Sequence, residues 1–214
     1  MKKIYFIIIP LVIITVSGIL IFGNKPAQAP TEQGSGNGPE ENQTIPESKY
    51  ANLPLEQARD RVLKKPFGIK ITPQTSPVQP EKFSGYHTGT DFETFPEEAD
   101  VVVPVQAICD GKLIMAKTAS GYGGVVAQSC EYNNQPITIV YGHIALTSLT
   151  KKVGDTIIAG DHLADLGQGF SQETDGERKH LHLGIHKGSE INIRGYVQTQ
   201  TELENWLNYT DYTK

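Results

Sequence analysis

The sequence predicts a mainly β protein, an antiparallel β-sandwich preceded by an N-terminal membrane helix and a disordered linker. Three observations carry this expectation. Residues 4–22 contain no charge, the next two dozen residues contain almost nothing large and apolar, and beyond residue 100 short β-rich runs are broken by glycine turns. A chain of 214 residues, part of it unfit for a core, fits one folded domain of ordinary size.

Residues 1–23 form the expected anchor. Lys2 and Lys3 precede the uncharged stretch Ile4–Phe22, which as a helix spans roughly 28 Å and so matches a hydrocarbon core of about 30 Å. The lysines place the N-terminus in the cytoplasm and the remainder outside, as a single-pass protein of the cell membrane. Ala27-Gln28-Ala29 offers a small-x-small cleavage pattern, but Pro30 follows it directly, so an uncleaved anchor is preferred over a cleaved signal. Residues 24–50 are rich in Pro, Glu, Gln, Gly, Asn and Thr; such a stretch cannot offset its ordering entropy and reads as a disordered tether.

Residues 51–80 read as a short helix and an extended arm. Leu55, Ala58, Val62 and Leu63 recur at helical spacing after Pro54, and the prolines at 66, 73, 77 and 80 extend the chain beyond it. Residues 81–197 form the main domain. Runs between Val101 and Lys117 break at Asp110-Gly111, and Gly121-Tyr122-Gly123-Gly124 turns the chain into Val125–Ser129, a β-hairpin. A turn centred near residues 119–120 sets Cys109 and Cys130 almost opposite each other, so a Cys109–Cys130 disulfide is expected outside the cytoplasm, with two buried or offset thiols as the alternative. Residues 136–143 make the next strand, and Val153–Asp161 reads as two short strands joined by tight glycine turns. Residues 198–214 read as one amphipathic helix with Leu203, Trp206 and Leu207 on its apolar stripe.

The net charge of −5 is mild, and Lys and Arg are scattered singly or in pairs. No nucleic-acid partner is expected.

Chemistry concentrates in three stretches: H-T-G-T-D at 87–91, Y-G-H-I at 141–144 and H-L-H-L-G-I at 180–185. They hold four of the six histidines, and a hydrolytic zinc centre needs three N/O ligands, an open position and proton-handling groups nearby. On a strand, residues i and i+2 share a face, so His180 and His182 converge. No His-Glu-x-x-His helix is present. His162 is assigned no part in the site, His186 is expected to be no more than a rim or supporting residue, and Asp165 and Tyr141 are given no role beyond a contribution of Tyr141 to the shape of the cleft.

These three motifs, in this order, resemble those of the lysostaphin-type (LytM-like) zinc endopeptidases that cut the peptide part of peptidoglycan; the likeness covers roughly residues 83–195. The resemblance implies one Zn²⁺ held by His87, Asp91 and His182, with His180 and His143 as catalytic histidines, and a fold of barrel-sandwich hybrid type. The Val-Gly-Asp and second glycine turn at 153–161 suit that architecture. The implied activity is a membrane-tethered zinc metalloendopeptidase hydrolysing peptide bonds in peptidoglycan stems or cross-links. A non-catalytic envelope scaffold of the same fold, regulating another cell-wall hydrolase, is the alternative; a peptidase for secreted proteins or glycine-rich peptides is a third. Residues 168–179 depart from the resemblance, being longer and more charged than the crossing in such relatives.

Overall fold

The computed structural model describes residues 53–61 and 63–214. The anchor and the linker expected over residues 1–50 lie outside the described residues, and no helix among the described residues is long and apolar enough to cross a membrane.

The architecture is mainly β, with every strand pair antiparallel. The first strands are β1 (Lys70–Ile71), β2 (Gly85–His87), β3 (Gly89–Glu93) and β4 (Pro104–Gln106). The hairpin strands β5 (Gly111–Ala119) and β6 (Gly123–Tyr132) lead to β7 (Gln135–Gly142) and β8 (Ile144–Ala145). Then come β9 (Thr156–Ile157), β10 (His162–Leu166), β11 (His180–Lys187), β12 (Tyr196–Val197) and β13 (Trp206–Leu207). The largest sheet runs β13-β11-β7-β6-β5-β9, with β3 also paired to β11; β1-β2-β12 and β4-β10-β8 make two smaller sheets.

Alternation along β11 sets the layers. Leu181, Leu183 and Ile185 point into a core shared with Leu113, Val126, Ile139 and Tyr141 of the large sheet and Val105 and Leu163 of the β4-β10-β8 sheet. Their neighbours His180, His182 and His186 point to the other face, as the period of two requires. Tyr141 belongs wholly to the core and shapes no cleft: its hydroxyl donates to Gln128 Oε1 (2.8 Å) and accepts from the Ile108 N–H (3.0 Å).

Cys109 and Cys130 are joined by a disulfide with Cα atoms 6.1 Å apart. The hairpin is centred on Gly121 rather than on 119–120, because Ala119 pairs with Gly123. A bulge between Leu113 and Met115 then shifts the register by one residue so that Lys112 faces Ser129, and Cys109 lies two residues before the start of β5 instead of directly across from Cys130. The bend over residues 108–110 brings the two sulfurs together.

Two helical expectations are corrected. Among the described residues of 53–64, helical structure is limited to the 3₁₀ turn Ala58–Asp60, because Gln57 adopts a left-handed conformation (φ 52°) and Arg61 is extended. Tertiary contacts override propensity there: Leu55 and Ala58 enter the core, while the Arg61 guanidinium binds the carbonyls of Glu56 and Glu93 and forks onto Glu98. The expected helix over 198–214 is instead α1 (Gln200–Leu203), strand β13 and α2 (Tyr209–Tyr212). Trp206 and Leu207 are drawn to β11, opposite His186 and Ile185, and each helix starts on a side-chain cap, Thr199 or Asn208. Between residues 153 and 161 there is one strand, β9, flanked by left-handed Gly154 and Gly160.

Candidate metal centre

The site lies on the face of the large sheet opposite the core, where β3 and β7 flank β11. Register does most of the assembly: His182 stands directly across from Asp91 on β3 and from Gly142 on β7, and His180 across from Glu93. His87 reaches the same point from β2, and His143 follows β7. Gly89 is needed for close approach, since a β-carbon there would lie 2.6 Å from Cε1 of His182.

Three donor atoms form a near-equilateral triangle. His87 Nε2 and His182 Nδ1 are 3.0 Å apart, and Asp91 Oδ1 lies 3.2 Å from the first and 3.1 Å from the second. His87, Asp91 and His182 form a group able to hold a metal ion. Tetrahedral zinc with bonds of about 2.0–2.1 Å needs ligand separations of about 3.3 Å, so the triangle fits the ion with little adjustment. The ring of His87 is also set correctly: its Nδ1 donates to the Pro66 carbonyl (3.3 Å), which leaves the Nε2 lone pair facing the centre. His182 Nε2 has no partner, and its ring is held by packing against Gly89, Gly142 and Tyr122.

The remaining two histidines stack beside the triangle. His180 and His143 have ring centroids 4.2 Å apart. His180 donates from Nδ1 to the Arg178 carbonyl (2.8 Å), which turns Nε2 toward Asp91 Oδ2 at 3.3 Å. His143 adopts a left-handed backbone (φ 63°), rare for a residue with a β-carbon, and its Nδ1 is buried without a partner. All five expected side chains are brought together, each at most 4 % exposed. His162 and His186 stay outside: the first is exposed and bonded to Asp165, and the second packs on Trp206.

Burial governs the electrostatics. It opposes ionisation of Asp91, yet the charges of His87 and His180 and hydrogen bonds from His180 and His182 outweigh it, holding this carboxyl well below its usual range. Burial depresses His182 to about 4, although the hydrogen bond to Asp91 opposes the shift. Burial, reinforced by the charge of His180, pushes His143 well below an ordinary imidazole. The low pKa keeps Asp91 ionised, the form in which a carboxylate binds a divalent cation.

Several residues of the site carried no motif. Tyr122, from the turn after β5, is buried with an unpartnered hydroxyl and packs on both His143 and His182. Its Gly-Tyr-Gly-Gly context signalled a turn and nothing more. The arm is part of the centre: the Lys65 carbonyl accepts from the Asp91 N–H (3.1 Å), and the Lys65 ammonium binds Glu81 (3.2 Å) and the Tyr196 hydroxyl (3.0 Å). Arg178 ends the charged 168–179 loop on Glu93 and Asp91. Phe83, Gly121, Tyr122, Glu177, Arg194 and Tyr196 wall the cleft over the histidines.

A β-scaffold presenting two histidines and an aspartate to one point, with two more histidines alongside, defines a metallopeptidase-like centre. The chain belongs to peptidase family M23, whose model matches residues 85–193. The fold is similar to that of the catalytic domain of lysostaphin from Staphylococcus simulans, at 18% identity and TM-score 0.51, covering 74% of this chain and 96% of that one. LytU is 22% identical with TM-score 0.49, covering 71% of this chain and 83% of its own. A zinc containing peptidase from Vibrio cholerae is 22% identical with TM-score 0.42, covering 63% of this chain and 37% of that one. No curated protein matches the sequence.

Proposed function

We propose that this chain is a membrane-tethered zinc metalloendopeptidase that hydrolyses peptide bonds in peptidoglycan stems or cross-links. The observation that carries the reading is the triangle of His87 Nε2, Asp91 Oδ1 and His182 Nδ1, with sides of 3.0–3.2 Å, beside two further buried histidines. Membership of family M23 supports peptidase chemistry, and the family likeness supports peptidoglycan as substrate. Tethering rests on the uncharged stretch 4–22, and the disulfide suits an extracytoplasmic domain.

His87, Asp91 and His182 would hold the zinc, which supplies a Lewis acid and lowers the pKa of water to about 7. His180 is fixed by its bond to the Arg178 carbonyl, so its Nε2 is aimed at the space beside Asp91 where a proton must be taken from the attacking water and passed to the leaving amine. His143, kept neutral by burial, retains an N–H to donate to the oxyanion that forms on the scissile carbonyl. Tyr122 and the neighbouring walls exclude bulk water, which strengthens each of these interactions.

The test is release of new amino groups from purified cell wall by the wild-type chain and by His87→Ala. Release by the first and none by the second is expected. Equal yields, or none from the zinc-loaded wild type, would favour the non-catalytic scaffold.

A further inference from the structure

The two oxygens of Asp91 face different surroundings. Oδ1 belongs to the triangle with His87 and His182. Oδ2 is met by Arg178 Nη2 at 3.1 Å, His180 Nε2 at 3.3 Å and Lys65 Nζ at 3.9 Å. Arg178 makes the shortest of these contacts, and it is itself fixed: its Nε lies 2.9 Å from both carboxylate oxygens of Glu93, and its Nη2 lies 2.5 Å from Oε1. Lys65 is more distant and already donates to Glu81 and Tyr196.

Geometry explains why Arg178 can do this. Asp91 and Glu93 are two residues apart on β3 and project from the same face, so one planar guanidinium spans both carboxylates. Lysine, a point charge without the fork, has no equivalent arrangement. Glu93, Asp91 and Arg178 are largely withdrawn from water, with side-chain exposures of 10, 2 and 11 %. An arginine so placed is strongly held, because leaving it unpaired would strand a buried charge.

We propose that Arg178, clamped by Glu93, is a positioning residue that reserves Oδ2 of Asp91 and thereby limits this carboxylate to one ligating oxygen. Carboxylates bind metals through one oxygen or two, and the second oxygen of a ligand is the nearest competitor for the position that a catalytic zinc must keep open. Tying up Oδ2 with a charge-assisted hydrogen bond removes that competitor. The 168–179 loop that carries Arg178 serves here as a strut for a metal ligand rather than as a free rim.

This inference rests on the zinc reading above, and the test separates the two. The full-length chain is loaded with Co²⁺ in place of zinc, and its visible d–d absorption is recorded for wild type and Arg178→Met. Wild type is expected to give the intense band of a four-coordinate ion. Arg178→Met is expected to give a several-fold weaker, five-coordinate spectrum, with kcat lowered about 10- to 100-fold and KM little changed. If Arg178→Met does not fold because Glu93 is left unpaired, Arg178→Met/Glu93→Gln removes both charges and carries the same spectral expectation. An unchanged intense band in the variant would overturn the role of Arg178 while leaving the metal site intact. A wild type that binds no cobalt and no zinc would overturn both readings.

Discussion

The two faces of β11 are built from adjacent residues and obey different rules. On one, Leu181, Leu183 and Ile185 pack into the core and need only shape and volume. On the other, the buried His180 and His182 join His87, Asp91, His143 and the half-buried Arg178 in a polar cluster whose contacts run atom to atom through the Asp91 carboxylate. Substitution on the first face should cost stability and spare chemistry. Substitution on the second should cost chemistry and largely spare the fold. The comparison teaches that the strand is a rigid ruler: the core side holds it, and the site side reads out its spacing.

The largest expected effect falls on the site face. His182→Ala should abolish zinc binding and peptidase activity together while the thermal midpoint of the metal-free chain shifts by only a few degrees, as metal analysis, wall digestion and a melting curve will show. On the core face, Leu183→Ala should destabilise the chain by about 2–5 kcal/mol in urea unfolding while the folded fraction still binds zinc. A Leu183 variant that keeps its stability but loses metal would break the comparison.

The disulfide, whose cysteines belong to the same core cluster as Leu183, offers a second test of the core side. Replacing Cys109 and Cys130 by Ala should cost about 3 kcal/mol, in keeping with a closed loop of sequence separation 21, without altering the rate per folded molecule. Returning to the site face, His143→Ala and His180→Ala should each lower the rate at least ~10²-fold while zinc stays bound. Metal loss in either would move that histidine from proton handling to ligation. The smallest effect concerns Glu98, whose pKa the Arg61 guanidinium lowers, against the opposing pull of burial. A carboxyl with a lowered folded pKa adds stability above the ordinary glutamate range and loses it as pH falls through the folded value. Glu98→Gln should therefore cost about 1.5–3 kcal/mol at pH 7 and flatten the acid limb of the stability profile below pH ~4.3.

The site face was more legible in the sequence than its supports. His-x-His at 180–182 announces a strand with a functional side, and the ordered motifs at 87–91 and 141–144 supply its partners. Arg178, Lys65 and Tyr122 were invisible as site residues because they come from loops and an arm where no periodicity reports which way a side chain points. The same limit explains the two missing helices. Apolar spacing at 53–64 and 198–214 suits a helix, but Arg61 found carbonyls and Glu98 across the chain, and Trp206 found the free edge of β11. Both outcomes were decided by long-range partners that local pattern does not record.

The most direct measurement of the central claim is zinc-edge X-ray absorption on the full-length chain. One zinc per molecule should appear, surrounded only by nitrogen and oxygen at about 2.0–2.1 Å, with the multiple-scattering signature of two imidazoles, and this bound zinc should be lost in His87→Ala. Sulfur in the first shell, or a two-imidazole signal unchanged in His87→Ala, would contradict the assignment of His87, Asp91 and His182 as the metal's ligands.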